Sequence, residues 1–281
     1  MAENYLVTGA SSGFGRLMTE RLLERGDRVV ATVRRPDALA ELRSAYPERL
    51  HVETLEMTET DGIGTVVDRA FATMGRIDVV VSNAGYGLFG AAEELEDGEI
   101  DRQIATNLTG SIQLIRRSLS RMRGQNLDGA RRGRIVQISS EGGQIAYPGF
   151  SLYHATKCGI EGFVEAVAQE VAPFGIDFLL VEPGPTGTNF LAGMRQVAPM
   201  AEYDGTPVGD VRRSFGTGQF GVMADADRSV AAMIDAMDAD KPALRLALGS
   251  NAFDGIAKAL AARSQALEAQ KAIALGADGD R

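Results

Sequence analysis

The sequence predicts a doubly wound α/β domain, a parallel sheet of about seven strands with helices on both faces, and three observations predict it. Short apolar runs alternate with amphipathic helical segments along nearly the whole chain, as in a parallel sheet joined by crossover helices. A glycine-rich turn, Gly9-x-x-x-Gly13-x-Gly15, links the first strand to the first helix. The chain's 281 residues, 44% of them hydrophobic, suffice for one large core, so residues 1–281 are read as a single domain.

Composition narrows the function. The net charge of −9 argues against a general nucleic-acid binder, which needs a basic surface. A lone cysteine, Cys158, excludes an internal disulfide and fits a reducing cytosol; it is expected to be a small buried core residue. No apolar run nears the ~20 residues of a membrane span. The first strand starts almost at Met1, leaving no room for a signal peptide, so a cytoplasmic protein is expected. His51 and His154 are the only histidines, and no cluster has metal-ligand spacing, so no metal is predicted.

Asn4–Thr8 reads as the first strand, and a helix runs from the glycine turn to about Gly26. In the turn Gly9-Ala10-Ser11-Ser12-Gly13-Phe14-Gly15, Gly9 permits the tight bend and Gly13 the close approach of a pyrophosphate. Gly15 lets helix pack on strand, and the helix N-terminus supplies amide donors. A glycine-rich turn without a ligand is the plainer alternative. Arg28–Arg34 is the second strand, and Pro36 begins a helix where proline is tolerated. NAD sites usually carry an acid near the end of this strand. Here the sequence is Val33-Arg34-Arg35, and Arg34 suits a 2′-phosphate; two solvated arginines are the alternative.

Leu50–Leu55 gives a third strand, Thr60–Gly75 a helix and Ile77–Ser82 a fourth strand. The small residues Asn83-Ala84-Gly85 follow, in a turn that permits close approach of a cofactor. A long helix is expected from about Asp97 to Arg123, with Asn107 near its middle. Asn107 is either a satisfied helix residue or a bend that holds a water. The connection Arg121–Arg134 (Arg121, Arg123, Arg131, Arg132, Arg134) reads as solvated charge.

Arg134–Ser139 is a buried strand, which places Ser140 at its carboxyl end, where open parallel sheets bind ligands. Tyr153 and Lys157 are four apart in a helical segment and so share one face. An ammonium near the phenol favours the phenolate, making Tyr153 a proton donor or acceptor close to neutral pH. By itself Tyr-x-x-x-Lys occurs in many helices by chance.

Taken together, Thr8-Gly-Ala-Ser-Ser-Gly-Phe-Gly15, Asn83-Ala-Gly85, Asn107, Ser140, Tyr153-x-x-x-Lys157 and Pro183-Gly184-x-x-x-Thr188 resemble the short-chain dehydrogenase/reductase family in its non-extended form. The order matches and the motifs spread over most of the chain. The resemblance implies a Rossmann-type domain, a nicotinamide cofactor, and a catalytic tetrad of Asn107, Ser140, Tyr153 and Lys157. The separation of Ser140 from Tyr153 selects Ser140 over Ser139. Asn83-Ala-Gly-Tyr-Gly87 and the arginine after the second strand resemble the 17β-hydroxysteroid/retinol dehydrogenase-like branch. By resemblance, cofactor contacts fall on Gly9, Ser11, Ser12, Gly13, Phe14, Gly15, Arg34, Asn83, Ala84, Gly85, Tyr153 and Lys157. They extend to the turn of Pro183, Gly184, Thr186 and Thr188 against the nicotinamide. Glu56-Met57 stands where the family usually has Asp and an apolar residue at the adenine. NADP is the expected cofactor, with NAD second.

Ile176–Val181 is the sixth strand. Residues 189–223 form a long segment with scattered apolar side chains (Phe190, Leu191, Met194, Val197, Met200, Tyr203, Phe215, Phe220, Val222), expected to be a substrate lid for a lipophilic carbonyl or alcohol. A helix at Asp225–Ala239, a strand at Ala243–Leu248 and an apolar-striped helix at about 253–275 complete the domain, with Gly276–Arg281 frayed. Family resemblance also implies a homodimer or homotetramer through the helices bearing Asn107 and Tyr153. The expected activity is NADP(H)-dependent interconversion of a ketone or aldehyde and an alcohol. The alternative is a non-catalytic nicotinamide-cofactor-binding regulator, disfavoured by the intact tetrad.

Overall fold

The apolar runs become strands β1 (Asn4–Thr8), β2 (Arg28–Val33), β3 (Leu50–Thr54), β4 (Val79–Ser82), β5 (Leu88–Phe89), β6 (Gly133–Ile138), β7 (Ile176–Pro183), β8 (Arg195–Gln196) and β9 (Arg245–Leu248). The computed structural model describes residues 2–126, 132–188, 190, 193–217 and 223–279. Seven strands form one parallel sheet in the order β3-β2-β1-β4-β6-β7-β9. After β3 the chain returns past β1 to lay down β4, so the strand order reverses between β1 and β4. Such a reversal opens a crevice at the carboxyl ends of the strands.

Burial on both faces explains why these strands read as continuous apolar runs rather than alternating ones. Along β1, Leu6 joins the core beneath α3 (Thr60–Met74), α5 (Gly110–Arg123) and α6 (Ser151–Val171). Its neighbours Tyr5 and Val7 face the opposite core, with α1 (Gly13–Arg25), α2 (Ala40–Ala45) and α8 (Ala226–Asp238). This period-two division puts helices on both faces. Gly26 ends α1 in the left-handed region at φ 106°, with its N–H returned to Leu22 and Leu23.

Several expectations change. The helix foreseen over Asp97–Arg123 is α4 (Asp97–Ile104), a π-helical turn at Ala105–Thr109 holding Asn107, and α5; an extra residue in the helical ladder makes such a bulge. Pro36 opens a 3₁₀ turn to Leu39 before the short α2. Arg134 is not solvated: fully buried, it pairs with both carboxylate oxygens of Asp177 at 2.5 and 2.8 Å and donates to Ala236 and Met237 carbonyls. Arg131 lies outside the described residues. Cys158 is exposed, not in the core, with its thiol 3.2 Å from the Gly143 carbonyl. It occupies the helix face opposite the buried Ile160 and Val164.

Where described, the segment 189–223 holds β8, a 3₁₀ turn at Ala201–Tyr203 and α7 (Pro207–Thr217). The lid residues Leu191, Phe220 and Val222 lie outside the described residues, as do Asp280 and Arg281 of the terminus. The final helix begins earlier, because Gly249 at φ 95° turns the chain straight out of β9. It forms α9 (Ser250–Ala269), and α10 (Lys271–Gly276) follows. Ala252 and Ile256 pack inward while Phe253, Leu260 and Leu267 face out. No helix among the described residues is long and apolar enough to cross a membrane.

Candidate active site

The glycine turn after β1 depends on glycine at three points for two different reasons. Gly9 and Gly13 have φ of 69° and 55°, which side chains rarely tolerate. At Gly15 the reason is contact: a Cβ there would stand 2.5 Å from the Gly9 carbonyl oxygen and 2.5 Å from Asn83 Nδ2. Asn83 itself ties the turn to β4, donating from Nδ2 to the Thr8 carbonyl at 2.8 Å, while its N–H reaches Thr8 Oγ1 at 3.0 Å. Nothing stands nearer than 3.9 Å to the space a Gly13 side chain would fill. The open backbone at the start of α1 is therefore a cradle for an anion.

β6 ends at Ile138, and the next two hydroxyls diverge. Ser139 donates to Glu161 at 2.5 Å, and Glu161 pairs with Arg245 at 2.7 Å behind the sheet edge. Ser140 stays on the crevice side, where its Oγ accepts from the Gly142 N–H at 3.1 Å. One turn of α6 brings Tyr153 and Lys157 to the same wall, 6% and 7% exposed. The Lys157 ammonium donates to the Ile138 carbonyl at 3.0 Å and lies 5.6 Å from the centre of the Tyr153 ring.

The electrostatics differ from the sequence expectation. Burial pushes the Tyr153 phenol up to about 12; hydrogen bonding with Ser140 pulls it down and the Glu141 charge pushes it further up. Lys157 is carried down to about 8 by its own burial, against the opposing pull of Glu161. Desolvation thus outweighs the Glu161 charge at Lys157 and the Ser140 hydrogen bond at Tyr153, and Tyr153 keeps its proton at neutral pH.

Asn107, in the π turn, donates to the Tyr86 carbonyl at 2.8 Å and accepts from the Tyr86 N–H at 3.1 Å. It clasps the loop after β4 and stands 3.2 Å from where a Gly85 side chain would be. Of the two sequence readings, the satisfied residue describes what is found, in a π-helical turn rather than a plain helix.

The crevice is a cavity of about 920 Å³ that runs from the cradle to Tyr153. Its walls include Gly9, Ser11, Ser12, Gly13, Phe14, Arg34, Glu56, Met57, Asn83, Ala84, Gly85, Ser140, Tyr153, Lys157, Pro183, Gly184, Thr186 and Thr188. Gly15 and Asn107 support it from behind. Arg34 makes no ion pair among the described residues, whereas Glu56 is engaged locally, accepting from the Thr58 N–H at 3.3 Å. The donor-rich cradle, Arg34 just after β2 and the small-residue edge at Asn83–Gly85 suit a dinucleotide.

Sequence reading found only Phe215, as a lid residue, of a second set of wall residues. Glu141, Tyr147, Phe150, Val211 and Phe215 line the end of the crevice beyond Tyr153. The aromatic rings stack edge to face, with Tyr147 and Phe150 centroids 5.4 Å apart and Phe150 and Phe215 6.3 Å apart. Their position between Ser140 and Tyr153 in sequence was the available signal for Glu141, Tyr147 and Phe150. Phe215 was among the apolar residues of the expected lid, whereas nothing local marked Val211.

Residues 3–198 match the family model described as short chain dehydrogenase. An oxidoreductase of Botryotinia fuckeliana (BOA17) is 31% identical over 276 residues, covering 98% of this chain and 99% of that protein. The crystal structure of a short-chain dehydrogenase from Streptomyces avermitilis superposes with a TM-score of 0.90 at 37% identity, covering 99% of this chain and 98% of that one. An actinorhodin polyketide ketoreductase crystallised with NADPH superposes at 0.72 with 26% identity, over 89% of this chain and 97% of that one.

Proposed function

The chain belongs to the short-chain dehydrogenase family, and on that premise we propose that it interconverts a ketone or aldehyde and an alcohol on a lipophilic small molecule, with NADP(H) ahead of NAD(H). The observation that carries the reading is the meeting of Ser140, Tyr153 and Lys157 on one wall of the crevice that also holds the glycine cradle. When bound, the nicotinamide supplies or accepts the hydride.

In the reductive direction Tyr153, protonated at neutral pH, gives its proton to the carbonyl oxygen. Ser140 holds that oxygen by a hydrogen bond where negative charge develops. Lys157 contributes a charge at the ribose end of the crevice, and Asn107 keeps the Tyr86 loop in register for the cofactor. Arg34 receives the 2′-phosphate; the ketoreductase seen with NADPH supports that preference. The aromatic end, formed by Phe150, Phe215 and their neighbours, takes the apolar body of the substrate. A regulator without chemistry has no use for this convergence. The Asn83-Ala-Gly-Tyr-Gly87 turn and Arg34 support the 17β-hydroxysteroid/retinol dehydrogenase-like branch.

Assembly is part of the proposal. The outer face of α6 carries Ala155, Gly159 and Gly162, all exposed, and a second copy's helix can approach such a face closely in a dimer or tetramer. Light scattering that shows only monomer at micromolar concentration would contradict this. The activity is tested by following reduced-nicotinamide absorbance with a panel of apolar ketones and secondary alcohols. Turnover of none of them by a protein that binds NADPH would overturn the enzymatic reading.

A further inference from the structure

Glu141 is a buried carboxylate that the chemistry above does not use. It follows Ser140 directly, is 5% exposed and lines the crevice. Its Oε1 accepts one long hydrogen bond, from the Tyr147 hydroxyl at 3.4 Å, and Oε2 accepts none among the described residues. Oε2 lies 3.1 Å from the position a Gly184 side chain would take, so glycine in the Pro183-Gly184 turn leaves room for it. No cation compensates it among the described residues. Lys157 is turned to the Ile138 carbonyl, and Arg245 to Glu161, Glu165 and Glu182. His154 is neutral by geometry: its Nε2 accepts from the Tyr147 N–H at 3.2 Å, so Nδ1 carries the proton toward the Gly142 carbonyl at 2.9 Å.

A carboxylate with so little contact with water is costly unless something pairs with it. Its surroundings say what that partner is. Tyr147 reaches it with its hydroxyl, and Phe150 and Tyr153 line the same crevice, with successive ring centroids 5.4 and 6.3 Å apart. Aromatic faces next to a carboxylate form an environment that attracts an ammonium ion, through charge and through the ring quadrupole. The carboxylate is also close enough to the reacting end for its charge to act on Tyr153.

We propose that Glu141 is a specificity-determining residue that holds a protonated amine of the substrate close to the carbon that reacts, so the preferred substrates are amino ketones and amino alcohols with an apolar body. The inference rests on the dehydrogenase reading of the same crevice and names the substrate class for it. The amine takes the place of the missing cation, and the reaction is otherwise unchanged. Hydride passes between cofactor and carbonyl carbon, the proton between Tyr153 and oxygen, and the amine keeps its protons throughout.

The test uses a matched pair, 2-amino-1-phenylethanol and 1-phenylethanol, with wild type and Glu141→Gln. Glutamine preserves the size of the side chain and an acceptor for the Tyr147 hydroxyl. Binding is measured by calorimetry with NADPH present, and turnover separately with NADP. The wild type should bind the amino alcohol at least ten times more tightly than its counterpart. Glu141→Gln should lose that margin while binding 1-phenylethanol as before. Equal binding of the pair by the wild type, or an undiminished margin in the variant, would overturn the proposal. A margin that Glu141→Gln abolishes, with no turnover of either alcohol by the wild type, would support the amine site and count against the hydride-transfer reading instead.

Discussion

The Lys157 ammonium sits 5.6 Å from the centre of the Tyr153 ring, yet its hydrogen bond goes to the Ile138 carbonyl at 3.0 Å. Both groups are buried, and burial moves them in opposite directions, the phenol up to about 12 and the ammonium down to about 8. At neutral pH the wall therefore presents a protonated tyrosine. The proton of Lys157 is the first lost as pH rises. Ketone reduction should hold level up to about pH 8 and fall above it, the charged lysine being the form that serves the cofactor. Lys157→Arg should move that fall to higher pH in a kcat/KM profile. An unmoved limb would assign it to another group.

Tyr153→Phe keeps the ring and removes the proton. It should lose ~10²–10⁴ in kcat with little change in NADPH affinity by fluorescence titration. Lys157→Ala should weaken both. Near-normal turnover by Tyr153→Phe would make this tyrosine structural.

Arg34 stands on the crevice wall without an ion pair among the described residues. A charge-assisted hydrogen bond is worth ~1.5–3 kcal/mol, so Arg34→Ala should weaken NADP binding roughly ten- to a hundredfold and leave NAD binding nearly unchanged. Parallel losses for the two cofactors would remove Arg34 from any role in selection.

Two glycines should respond in opposite ways to alanine. At Gly15 the new methyl meets the Gly9 carbonyl and the Asn83 amide at 2.5 Å, and the carbonyl belongs to a turn that cannot yield. Urea unfolding of Gly15→Ala should show a loss of ~1–3 kcal/mol. At Gly98, inside α4, nothing lies within 4 Å, and alanine should stabilise by up to ~1 kcal/mol.

Burial pushes the Glu141 carboxyl above its ordinary range, and the Tyr147 hydrogen bond only partly offsets this. A carboxyl raised on folding contributes its stability below its unfolded value, and that contribution is lost as pH rises through the folded value. At neutral pH Glu141 therefore weakens the fold. Glu141→Gln should melt higher than wild type at about pH 7–8 and converge with it near pH 4. A lower Tm for the variant across the whole range would mean that an unseen partner compensates the charge.

Much of this molecule was legible in the sequence because its signals are local. Apolar runs of strand length alternating with amphipathic helices determined the parallel sheet, since strands buried on both faces need side chains that are apolar on both faces. The backbone demands of Gly9 and Gly13, and the helical spacing of Tyr153 and Lys157, are equally local. Tertiary structure decided whatever depends on distant neighbours. Arg134 reads as one more surface arginine until Asp177, on the adjacent strand, closes over it. Cys158 turns outward because α6 buries its other face. The sequence spacing placed Lys157 beside Tyr153 correctly. It could not give the balance between charge and desolvation, because desolvation is set by the helices and strands packed around both groups. The uncompensated state of Glu141 among the described residues is of the same kind: there the fold sends Lys157 and Arg245 to other partners.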